Sequence, residues 1–102
     1  MTEDLVQNEL GKLGRKLADN RRRIILESIQ SGLLDEWISA RDLVLKINEG
    51  YADSKARYEG KMRKRDRHVS VMQVATILGE FYRKGIVQMN RKGREIALWR
   101  KV

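Results

Sequence analysis

Two runs of cationic side chains carry the clearest chemistry in this sequence. Residues 55–68, KARYEGKMRKRDRH, hold seven basic and two acidic side chains, and residues 83–102, RKGIVQMNRKGREIALWRKV, hold seven and one. These two runs supply all of the formal charge of +8. Like charges crowded together destabilise a compact chain unless an anion meets them, and phosphate backbones are the commonest such partner. A solvated face beside a basic loop is the plainer alternative. Between the runs, residues 69–82 contain one charged side chain, Glu80.

Side chains suited to catalysis are sparse. His68 is the one histidine and there is no cysteine, which excludes His-pair metal sites, thiolate zinc sites and thiol nucleophiles. The glycines are scattered and none opens a GxxxxGK[ST] phosphate loop. The sequence therefore predicts a non-enzyme with no metal, cofactor or small-molecule ligand. Its 102 residues amount to one small domain. With 41% hydrophobic and 35% charged residues, it should build one modest core under a heavily ionised surface. No apolar run approaches the roughly 18 residues of a membrane span, and none follows Met1 as a signal peptide would. The expected place is the cytoplasm, on the nucleoid, or the nucleus, without secretion.

The elements that must position the cations follow from periodicity. Val6, Leu10, Leu13 and Leu17 recur at helical spacing, so residues 1–18 read as an N-terminal helix that packs on the domain or pairs with a second copy. Gly11 and Gly14 weaken it by about 1 kcal/mol each relative to Ala. Asp19 or Asn20 suits the N-cap of a second helix, which Gly32 stops. Arg21 to Arg23 in its first turn oppose the helix dipole and point to a phosphate contact or to salt bridges with Glu27, Asp35 or Glu36. Trp37 and Ile38 read as a short extended segment. Ser39, with Asp42 three residues on, resembles the start of a helix that buries Leu43, Val44 and Ile47 and stops at Gly50. Residues 50–69 read as a basic insertion, either partly helical or a loop.

Residues 70–84 form the next predicted helix, stopped by Gly85. Val71, Val74, Ala75, Leu78, Phe81 and Tyr82 are assigned to its buried face, and Ser70, Gln73, Thr76, Glu80 and Arg83 to the opposite one. Small polar side chains of that kind suit the reading of base edges, though many solvated helices carry them. Two β-prone runs then flank Asn90-Arg91-Lys92-Gly93, a turn signature. Pairing Asn90 with Arg94 would set Ile86 against Leu98, Val87 against Ala97 and Gln88 against Ile96. Both faces of that hairpin, residues 86–100, are apolar, with Trp99 on the one left for the N-terminal helix or a second subunit. Arg91, Lys92 and Arg94 form its cationic tip.

The stretch VATILGEFYRKGIVQMNRKGREIALW, Val74 to Trp99, with WISARDLVLKI upstream, resembles the winged helix-turn-helix family of DNA-binding domains. The likeness spans roughly residues 20–102, within a winged-helix domain set at 19–102. It implies a mainly α fold with a small C-terminal β-hairpin, here extended by an N-terminal helix and by the basic insertion. Family members join the second and recognition helices by a tight turn, so residues 50–69 are a departure. The resemblance implies that helix 70–84 enters the major groove of double-stranded DNA, with Ser70, Gln73 and Thr76 nearest the bases. Gln73 is the best single reader, because a carboxamide can bond adenine N6 and N7 together. Arg91, Lys92 and Arg94 would meet the backbone or minor groove. Lys61, Arg63, Lys64, Arg65, Arg67, His68, Arg83 and Lys84 would add phosphate contacts, which position without specifying. A small homodimeric transcriptional regulator is the expectation. The alternative is a winged-helix interaction or architectural module in a replication, partition or chromatin assembly.

Overall fold

The computed structural model describes residues 2–53, 69–91 and 96–102, with the side chains of 49–53 left aside. Among them the order is α1 (Thr2–Lys12), α2 (Leu17–Gln30), β1 (Ile38–Ser39), α3 (Ala40–Asp53), α4 (Val71–Arg83), β2 (Val87–Asn90) and β3 (Leu98–Lys101). The chain is mainly helical, with a small antiparallel sheet ordered β1-β3-β2. No helix of the described residues is long and apolar enough to cross a membrane.

Local chemistry explains most of the boundaries. Gly32 and Gly85 stand just past α2 and α4 with φ of +92° and +80°, a conformation glycine adopts without a Cβ penalty. In each case the next residue closes the helix end. Leu33 N–H donates to the Ser28 carbonyl at 3.1 Å, and Ile86 N–H to the Phe81 carbonyl at 2.9 Å, the Schellman pattern. Ser39 caps α3 as the sequence predicts, its Oγ accepting from Asp42 N–H at 3.1 Å. That helix does not stop at Gly50. Its backbone stays helical to Asp53, because a single glycine costs only about 1 kcal/mol in a helix interior.

The N-terminal helix differs more from expectation. It ends at Lys12, and Leu17 already belongs to α2, so a boundary at residue 18 would cut into that helix. Neither Asp19 nor Asn20 caps α2; the N-cap is Lys16, without a side-chain bond. Asp19 instead accepts from Gly14 N–H at 3.0 Å, while Arg23 donates to the Gly14 carbonyl at 3.1 Å and to Asn20 Oδ1 at 2.8 Å. The first two turns of α2 thus grip both polar groups of Gly14, which breaks the predicted long helix after α1. The Gly14 N–H, then Arg22, holds the Asp19 carboxyl below its ordinary range. Val6 is buried, with Leu10 and Leu13 packed on the core, but Leu17 is 40% exposed.

α1 is tied at both ends. The Thr2 hydroxyl donates to the Val102 carbonyl, and Glu9 accepts from Lys84 Nζ at 2.8 Å. The Glu9 carboxyl lies below its ordinary value, chiefly through that hydrogen bond. A lowered carboxyl contributes stability above its unfolded pKa and loses it as pH falls through the folded value. Glu9→Gln should therefore cost stability at neutral pH, by about 1 kcal/mol for a pair whose lysine stays exposed to solvent. The gap from the parent should close on acidification. Thermal unfolding across the acid range checks this, and a gap independent of pH would refute it.

In the sheet, the hairpin register lies four residues from the predicted one. Gln88 pairs with Arg100, Met89 with Trp99 and Asn90 with Leu98, and Ile38 and Ser39 pair with Trp99 and Leu98 from the other side. An even slip leaves every side chain on its own face, so Val87 and Trp99 still point the same way. Trp99 is buried, while Ile96 leaves the ladder and is 75% exposed. The slip lets Trp99 join the core between two strands and lengthens the connection to residues 91–97. Val69, assigned to the insertion, is also buried in the core.

Candidate nucleic-acid interface

α4 buries Val74, Ile77, Leu78 and Phe81, an i, i+3, i+4, i+7 set that defines one helix face. Its sides pack on α2 and α3. This face is rotated from the predicted one: Val71 is 44% and Tyr82 47% exposed, while Ile77 lies in the core. The outward face therefore runs through Met72, Thr76, Gly79 and Arg83, with Val71, Ala75 and Tyr82 along one flank. Met72, at 79%, is the most exposed large hydrophobic among the described residues. Ile77 at i+3 from Val74 was the available signal for this rotation.

The predicted base readers are engaged locally. Ser70 Oγ accepts from Gln73 N–H at 3.2 Å, and Gln73 Oε1 accepts from Ser70 N–H at 3.0 Å. Together they form a capping box, which satisfies two otherwise orphan backbone donors. Bidentate pairing with adenine needs both ends of the Gln73 carboxamide, and one end is already in use. Thr76 Oγ1 donates to the Met72 carbonyl at 2.9 Å, so its single proton is spent on the helix. All three stand at or near the surface of one helix, yet their polar groups largely serve that helix.

Cations around the helix divide into two kinds. Lys84 is clasped to Glu9, Lys101 to Asp35 at 2.9 Å, and the Arg100 guanidinium lies 4.8 Å from the centre of the Trp37 ring. These members of the C-terminal basic run hold the fold together. Arg83 and Arg91 are exposed at the end of α4 and just past β2. Lys61, Arg63, Lys64, Arg65, Arg67, His68, Lys92 and Arg94 lie outside the described residues.

The arginine triplet of α2 has structural partners other than the acids expected from sequence. Arg22 bridges to α4, its Nε 2.8 Å from Glu80 Oε2 and its Nη2 3.3 Å from Oε1, and also meets Asp19 Oδ1 at 3.0 Å. Arg23 holds the Gly14 turn, and Arg21 Nε is enclosed without a hydrogen-bond partner. The bidentate grip of Arg22 has an electrostatic result. Glu80, the one carboxylate between residues 69 and 82, is fixed to a guanidinium and turned to the flank of α4. An anion approaching the outward face meets no unpaired carboxylate belonging to that helix.

Among the described residues, no group of three or more His, Asp or Glu side chains is gathered to hold a metal ion. In comparisons with known proteins the chain matches no family model, and no curated protein or solved structure is significantly similar to it.

Proposed function

We propose that this chain binds double-stranded DNA as a winged helix-turn-helix protein and acts as a small transcriptional regulator. In this reading α4 enters the major groove and the β2–β3 hairpin is the wing, with its 91–94 tip on the backbone or minor groove. The observation that supports it best is the charge pattern about α4. The helix carries one acid, neutralised by Arg22, and runs of net +5 and +6 stand before and after it. The helix order and the β1-β3-β2 sheet are compatible with that fold. A regulator of this kind works on the nucleoid or in the nucleus.

The reading includes a homodimer, since paired half-sites one helical turn apart are the usual target of such a helix. Val6 lies in the chain's own core, and Leu10 and Leu13 pack against it half-buried, so the self-contact draws mainly on other surface. Light scattering on the intact protein tests it, and a monomer at all concentrations would remove the dimer.

For DNA binding the test is fluorescence anisotropy on duplexes across a salt series. The logarithm of affinity should fall linearly with the logarithm of salt, at about −0.9 per phosphate neutralised. A protein that ignores duplex DNA at low salt would end the proposal. One observation favours the other reading, a protein-interaction module: the exposed hydrophobic side chains of α4, Met72 on its outward face with Val71 and Tyr82 on the flank. Absence of duplex binding would turn attention to that face as a protein contact.

A further inference from the structure

We infer that α4 recognises thymine through apolar contact with its C5-methyl group, using Met72 and Val71 with the Thr76 methyl beside them. This rests on the reading that α4 enters the major groove. The polar groups first suited to base reading are partly spent: Ser70 Oγ and Gln73 Oε1 accept from each other's backbone N–H, and Thr76 Oγ1 donates to the Met72 carbonyl. What the helix turns outward at its N-terminal half is hydrocarbon, with Met72 79% and Val71 44% exposed. In the major groove the thymine methyl is the one apolar feature a base pair presents. A cytosine amino group or a guanine carbonyl set against Met72 would be desolvated without a partner, which costs free energy.

Two further features suit a duplex as the occupant of this face. Gly79, one turn beyond Ala75 and Thr76, has open space where a Cβ would stand, so the helix backbone can approach closely there. Arg83 follows one turn later, exposed and cationic, while the Glu80 carboxylate is held by Arg22. Apolar reading groups followed by a cation complement a groove floor bordered by phosphates.

Duplexes recovered from a random pool should be enriched in thymine at the positions facing α4. Replacing thymine there by deoxyuridine removes the methyl group alone and should weaken binding by about fourfold per contact, the worth of one buried carbon. Deoxyuridine outside the site should have no effect. In Met72→Ala the difference between thymine and uracil should shrink towards one, with the salt slope unchanged; since Met72 is outside the core, circular dichroism should match the parent. Equal affinity for thymine and uracil duplexes would overturn the inference and leave DNA binding standing. So would a thymine preference that Met72→Ala does not alter. Failure to bind any duplex at low salt would overturn the underlying reading instead.

Discussion

Reversing the wing cations, Arg91→Glu with Lys92→Glu and Arg94→Glu, should weaken duplex binding at least a hundredfold at about 0.1 M salt, whatever the sequence. Each lost attraction near water is worth about 1 kcal/mol, so three amount to about 3 kcal/mol before any repulsion is added. The same variant should show a salt dependence shallower by up to about three units, since each contact carries about 0.9. Sequence preference should persist, because phosphate contacts position the protein without reading bases. Arg91 is exposed beyond the last residue of β2, so its substitution does not disturb the core. Unaltered affinity and slope would show that the tip does not touch DNA, and the wing assignment would fall.

Trp99→Ala should remove about 3–5 kcal/mol of stability, a large share of the roughly 5–15 kcal/mol available to a domain of this size. Trp99 sits on the central strand, paired with Ile38 on one side and Met89 on the other, and is 7% exposed. Its loss opens a cavity in the core and removes the side chain that stands between its cross-strand neighbours Ile38 and Met89. Urea titration of the variant measures the effect. A stability that stays near the parent's in dilute protein, with lost self-association, would move Trp99 from the core to a subunit interface.

The contrast between Trp99 and Gln73 shows where the sequence is legible. Helix ends written in local chemistry, at Gly32, Ser39 and Gly85, could be read directly, because their causes lie within a few residues. The Ser70-x-x-Gln73 pair is also a local signature, but its side chains suited base reading equally well, and sequence does not say which demand takes them. The hairpin register depended on β1, some sixty residues away in the chain. Turn residues at 90–93 favoured a tight hairpin, and only the need to bury Trp99 under Ile38 sets the longer connection. Likewise, the pairing of Arg22 with Glu80 rather than a nearby acid is a tertiary fact. The clustering of charge was legible; its division into cations that brace the fold, such as Lys84 and Lys101, and cations left at the surface was not.

The placement of β3 sets a timetable for synthesis. Residues 98–101 form the middle strand of the sheet, Lys101 N–H bonds to the Leu34 carbonyl, and Val102 N–H to that of Ile86. Until residues 98–102 have been made, β1 has no neighbour and Leu34 and Ile86 lack these partners. The helices emerge before β3 and must wait for it. Folding of this domain is thus expected to be completed after, and not during, translation of its own sequence. Until then its apolar faces are open to chaperones.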